Sequence, residues 1–178
     1  MSIDFEKRKT FKLSEEQKKE IDKELEIFEK EPSYNEIIDN IYVGNYKFAS
    51  DVELLLKEGI TYILNCANGL KNFFENENLF KYLYMPIYDS ESQKLDKYLE
   101  QTNNFIKEGS ENGNKILIHC GSGISRSSTL CLMYMIMVKG YKFSDAYTLI
   151  KQKRNCVLPN IGFRKLLEQK SYEIHGSL

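Results

Sequence analysis

The period of apolar and polar positions changes several times along this chain. In residues 1–31, Ile21, Leu25 and Phe28 fall on one helical stripe behind a Ser14/Gln17 capping box, which predicts an amphipathic, charged N-terminal helix. Pro32 and Ser33 then mark a boundary. From about Tyr34, short β-branched and aromatic runs alternate with helical spacing. Asn40–Val43 reads as a strand ending at Gly44, and Ser50 with Glu53 opens a helix carrying Leu54, Leu55 and Leu56 that stops at Gly59. Ile60–Cys66 and Phe80–Met85 read as buried strands, the second ended by Pro86. Leu95, Leu99, Phe105 and Ile106 space out a helix closed by Gly109 and Gly113, and Lys115–His119 is a short buried strand. A Gly/Ser loop leads into an apolar helix to Val138, stopped at Gly140. Ser144 is the expected cap of a helix to about Arg154, and Pro159-Asn160 opens a last helix with Phe163, Leu166 and Leu167 inside. Strands separated by helices predict an α/β fold of three layers, a mostly parallel central sheet with helices on both faces. The expected organisation is an extension over 1–31, one domain over 32–174 and a tail over 175–178.

Composition narrows the function. The chain has 178 residues, 42% hydrophobic and 29% charged, enough for one real core. A formal charge of -1 argues against a nucleic-acid or membrane-surface protein. The extension holds 8 basic and 10 acidic residues, a solvated rather than a core-forming composition. Four cysteines without a CxxC pair do not make a disulfide scaffold, and the first residues lack an apolar signal region, so a cytoplasmic protein with reduced thiols is expected, the nucleus remaining open. With two histidines, no HExxH, no GxxxxGK[ST] and no GxGxxG, neither a metal nor a nucleotide cofactor is expected.

The informative stretch is Lys115–Thr129, KILIHCGSGISRSST. A strand delivers Cys120 to its C-terminal end, Gly121, Ser122, Gly123, Ile124 and Ser125 follow, and Arg126 stands where a long apolar helix begins. Gly121 and Gly123 allow the backbone to curl so that successive N–H groups converge on one centre. The positive end of the helix faces that centre, and the Arg126 fork suits bidentate phosphate binding. A cysteine in such a field is held as thiolate, a nucleophile aimed at phosphorus. Phosphate ester cleavage also needs an acid for the leaving oxygen. Asp89, on a loop after Pro86 and 31 residues before Cys120, is the candidate, with Glu91 and Asp96 as neighbouring carboxylates.

His119-Cys120-x-x-Gly123-x-x-Arg126-Ser127 resembles the catalytic loop of the cysteine-dependent protein phosphatases, in their small dual-specificity branch. The similarity extends through Ala146-Tyr147, Leu149-Ile150-Lys151 and Leu158-Pro159-Asn160 with Phe163. Upstream it takes in Ile41–Asn45 and Tyr82–Pro86 followed by Asp89, so that residues 34 to 172 are covered. Ser122, where the branch more often has alanine, is the one departure in the loop. The resemblance implies a phosphotyrosine-phosphatase-like domain that hydrolyses phosphotyrosine and phosphoserine or phosphothreonine on protein partners through a phosphocysteine, as a monomer and without metal. It implies Asp89 as general acid, Ser127 as hydroxyl donor to the departing Cys120 sulfur, and His119 as a buried group hydrogen-bonded behind the loop. Arg154 matches a basic position that flanks the pocket mouth in some members and can meet a second phosphate. Cys66 matches a resolving thiol of the lipid-phosphatase branch, which implies a reversible pairing with oxidised Cys120. Cys131 is expected in the core, and Cys156 lies in a loop. Alternatives on the same residues are a phosphoinositide or RNA 5′-phosphatase, a phospho-binding adaptor, and a rhodanese or arsenate reductase. The loop contains no lysine, which weighs against the lipid reading, and retention of Cys120 and Arg126 weighs against the adaptor.

Overall fold

The computed structural model describes residues 32–176, so the charged helix expected over 1–31 and the last two residues lie outside it. Five strands form one sheet: β1 (Tyr34–Ile38), β2 (Ile41–Gly44), β3 (Tyr62–Asn65), β4 (Lys81–Tyr84) and β5 (Ile116–His119). Their spatial order is β1-β2-β5-β3-β4, parallel except for β1, which pairs antiparallel with β2 at the edge. The helices are α1 (Tyr46–Ala49), α2 (Val52–Glu58), α3 (Asp96–Ser110), α4 (Arg126–Met137), α5 (Phe143–Lys153) and α6 (Ile161–His175).

The pleat sorts the core into two unequal halves. Ile41, Val43, Leu64, Ile116 and Ile118 point to the face covered by α3 to α6. Tyr42, Ile63 and Leu117 point to the other face, where α1 and α2 bring Phe48 and Leu55. β5 is buried at every position, as a central parallel strand between two helical layers must be. Helix α4 is buried from Ser127 to Ile136, which its all-round apolar sequence requires. Cys131 sits within it, its thiol pushed up to about 12 by burial. No helix among the described residues is long and apolar enough to cross a membrane.

Several local features differ from the pattern-based expectation. Edge strand β1 and the short α1 carried no clear signal. β1 turns into β2 through Asp39 and Asn40, both at positive φ (42° and 67°), a two-residue hairpin suited to these side chains. α2 is capped by Asp51, whose carboxylate accepts from Leu54 N at 3.0 Å, rather than by Ser50. α5 begins at Phe143, one residue before Ser144. Asn160 is the N-cap of α6, its Oδ1 accepting from Phe163 N at 3.0 Å. The helix then runs to His175, into the expected tail.

Candidate active site

The loop between β5 and α4 is held from outside by its carbonyls. Gly121 O accepts from Tyr46 N at 3.0 Å and Gly123 O from Arg154 Nε at 2.9 Å. Ile124 O accepts from Leu158 N at 3.0 Å and from the Ser128 hydroxyl, and Ser125 O from Ser128 Oγ and Thr129 Oγ1. All peptide bonds here are trans, so each outward carbonyl turns the following N–H inward. The N–H groups of Ser122, Ile124, Ser125 and Arg126 therefore line the inside of the loop. Gly123 sits at φ +72°, and a Cβ there would stand 2.6 Å from Gly44 O and 2.9 Å from Arg154 Nη2. The turn therefore needs glycine on both conformational and steric grounds.

Cys120 lies fully buried at the loop's origin. Its sulfur accepts from Gly123 N–H at 3.2 Å and lies 3.4 Å from Ser127 Oγ. The Cys120 thiol is held well below the ordinary cysteine range. The largest cause is hydrogen bonding from the Cys66 thiol, followed by the hydroxyl and backbone of Ser127 and the Arg126 charge, all working against the cost of burying a thiolate. β3–β5 pairing brings Cys66 there: its N–H donates to His119 O at 2.9 Å, so it follows β3 as Cys120 follows β5. Cys66 is itself pushed well up, burial being the main cause, and so remains a thiol. Its one proton has two acceptors, His119 O at 3.0 Å and the Cys120 sulfur.

Arg126 opens α4 with its side chain only 16% exposed. Nη1 donates to Ile87 O at 3.3 Å, whereas the buried Nε has no hydrogen-bond partner. The nearest anion is Asp89, whose Oδ2 stands 3.7 Å from that Nε. Asp89 Oδ1 accepts from Ser125 Oγ at 2.7 Å and from Asn160 Nδ2 at 2.9 Å. Inward amides, a helix start, a buried guanidinium nitrogen without a hydrogen-bond acceptor and a stabilised thiolate thus surround one seat for a tetrahedral dianion, with a carboxyl at its rim. Ser122 and Ile124 are half-buried in the loop.

One expectation needs correction. Arg154 does not flank the pocket mouth: it is 1% exposed and donates to Gly123 O, Pro32 O and Asn35 Oδ1 at 2.9, 2.7 and 2.8 Å. It is a brace behind the loop, with its guanidinium engaged away from any second phosphate. His119 is fully buried. Burial pulls its pKa down to about 4, a backbone hydrogen bond with Cys120 opposing, so the ring is neutral behind the loop. Asn160 entered the sequence reading as a helix start and as part of the resemblance, and its contact with Asp89 is a product of the tertiary structure. An Asx cap signal before α6 marked the residue but gave no partner.

A cysteine held well below its ordinary pKa at the origin of an anion-binding loop, on a mostly parallel sheet with a carboxyl beside the loop's arginine, has the arrangement of a cysteine-dependent phosphatase. Residues 41–172 match the model of the dual specificity phosphatase catalytic domain. Human dual specificity protein phosphatase 22 is 37% identical over 142 residues, 79% of this chain and 76% of that protein. Human dual specificity protein phosphatase 9 is 37% identical over 72% of this chain, which spans only 33% of its length. Among solved structures, the human tyrosine phosphatase-like serine/threonine/tyrosine-interacting protein superposes with a TM-score of 0.70 at 32% identity, covering 79% of this chain and 95% of that one. The chain belongs to the dual specificity phosphatase family and is a protein phosphatase.

Proposed function

We propose that this enzyme hydrolyses both phosphotyrosine and phosphoserine or phosphothreonine esters on proteins, through a phosphocysteine intermediate. The observation that carries this reading is the buried Arg126 Nε, which has Asp89 at 3.7 Å but no hydrogen-bond acceptor, in the same site as a sulfur whose ionisation is favoured before substrate arrives. The inward N–H groups and Arg126 hold the phosphoryl oxygens where charge develops. Cys120 attacks phosphorus in line, the P–O bond breaks, and the leaving oxygen takes a proton from Asp89. In the second step Asp89 accepts a proton from water as its oxygen attacks phosphorus, and the sulfur departs with the Ser127 hydroxyl supporting its charge.

The test is a panel of phosphotyrosine, phosphothreonine and inositol-phosphate substrates assayed without added metal. Turnover of both phosphopeptide types supports the reading, and turnover of inositol phosphates alone overturns it in favour of the lipid class. An adaptor reading has support in the description of the human interacting protein as phosphatase-like. Here the nucleophile is present, and binding without turnover on the same panel is the result that would favour the adaptor.

The placing of Cys66 beside Cys120 supports a further role for it. When peroxide oxidises the Cys120 thiolate to a sulfenic acid, releasing hydroxide, the Cys66 thiol condenses with it, forming S–S and releasing water. Peptide mapping after peroxide treatment tests this, and a Cys66 that always stays free overturns it.

A further inference from the structure

A groove opens from the acid side of the phosphate seat and runs along the first two turns of α6. Its volume is about 770 Å³, in the range of sites that hold an organic ligand, and Asp89 and Ser125 form its near end. The proposed reaction uses only that end.

Leu158 and Ile161 line the groove with 63% and 52% of their surface exposed. Bulky apolar groups kept in water beside a reaction centre mark a contact surface. Neither belongs to a loose segment. Leu158 N donates to Ile124 O at 3.0 Å, Pro159 follows with its fixed φ, and Ile161 opens α6 directly after the Asn160 cap. A ligand that covers them therefore orders little that is not already ordered.

Charge distinguishes the far end. Arg164 Nε donates to Glu168 Oε1 at 2.9 Å, and its guanidinium lies 5.9 and 5.8 Å from the Phe143 and Tyr147 ring centres. That pair is neutral as a unit and is held against α5. Asp89 is drawn to Arg126. Lys165 is exposed and pairs with no carboxylate among the described residues, although Glu91 and Asp96 border a neighbouring groove that it also lines. The charge that the groove offers a ligand is thus the Lys165 ammonium.

Spacing sets the register. Lys165 lies five positions beyond Asn160, about 7.5 Å along the helix axis, whereas an extended peptide advances about 3.3 Å per residue. A substrate strand leaving the seat along the groove passes Leu158 and Ile161 first. It meets Lys165 about two or three residues from its phosphorylated side chain.

We propose that this groove binds one flank of the phosphorylated segment and selects a bulky apolar residue next to the phosphorylated one, with a carboxylate two or three positions out at Lys165. Ile161 and Lys165 are then specificity-determining residues, and the proposal rests on the reading of the site as one for phosphorylated proteins.

The test measures kcat/KM of the full-length protein on phosphotyrosine peptides that differ in one flank at a time. Glutamate, glutamine or lysine stands two or three positions before or after the phosphotyrosine, and leucine or serine stands next to it. The wild-type protein is expected to favour glutamate over glutamine about three-fold on one flank only, as an exposed ion pair allows, and to lose that preference at high salt. Lys165→Gln is expected to abolish the preference, and Lys165→Glu to reverse it toward lysine. Ile161→Ser is expected to reduce the leucine preference about five-fold. Turnover of nitrophenyl phosphate, too small to reach either side chain, is expected to stay at the wild-type rate in all three variants. Equal rates for glutamate and glutamine on both flanks overturn the proposal. So does an acidic preference that survives Lys165→Glu, since another cation then reads it. A matching fall in nitrophenyl phosphate turnover also overturns it, because the variants then act on the seat. Turnover of nitrophenyl phosphate but of no phosphopeptide overturns instead the protein-substrate reading beneath the proposal.

Discussion

Cys120 is fully buried, and the loop that follows it is bonded from outside by α1, by Arg154 and by the segment before α6. Asp89, whose carboxylate lies 3.7 Å from Arg126, keeps 34% of its side chain exposed and is held through one oxygen by two neutral donors. The difference follows from what each must do in the proposed reaction. The nucleophile and its amides have to be set before substrate binds, since reorganising dipoles during the reaction would forfeit their advantage. The acid has to admit the ester and then meet its leaving oxygen, so it is attached lightly and at the rim.

Substitutions on the two sides should therefore fail in different ways. The largest effect is expected from Cys120→Ser, which should cut turnover on the order of 10⁴-fold or more while phosphopeptide binding persists. Steady-state kinetics beside calorimetric titration checks both halves, and an active variant would sink the covalent scheme. Asp89→Ala should lower kcat about 10²-fold with unchanged phosphopeptide affinity, as expected for a group used only while bonds break. A weakened affinity in that variant would show the carboxyl to be part of the seat instead.

The next two predictions concern what lies behind the rigid side. Arg154→Met leaves Gly123 O, Pro32 O and Asn35 Oδ1 without their donor and should destabilise the protein by about 3 kcal/mol in urea unfolding. Arg164→Met breaks a half-exposed pair with Glu168 and should cost less than about 1 kcal/mol. Equal losses in the two would contradict the bracing role of Arg154.

At neutral pH the remaining effect vanishes, because it is a pH dependence that appears only in acid. His119 ionises at about 4 in the folded protein and near 6.5 when unfolded. Between those values the unfolded chain binds a proton that the native ring does not, so stability falls as pH drops through this window. The accumulated loss by pH 4 is about 3 kcal/mol, at roughly 1.4 kcal/mol for each pH unit. His119→Asn should flatten that acid limb in denaturant titrations at several pH values.

The catalytic loop was legible in the sequence because its chemistry is local. Cys120, Gly121, Gly123, Arg126 and Ser127 lie within eight consecutive positions, and a strand before and a helix after them are enough to bring their groups to one centre. Gly59 as a helix end and the buried β3 and β5 were legible for the same reason. Edge strand β1 was not, because its sequence YNEII has no uniform apolar face and its pairing depends on β2.

Arg154 shows where the sequence stops. A basic residue at the end of a helix reads as solvated, and its burial depends on acceptors at Pro32 and Asn35, more than a hundred positions away. Asn160 was readable as a cap but not as the partner of Asp89, 71 residues upstream. Sequence alone determined the fold class, the candidate nucleophile and its anion loop, since neighbours along the chain carry them. Tertiary structure decided which buried groups brace that loop and which oxygen of the acid is occupied, since those contacts exist only after distant segments pack and lose water.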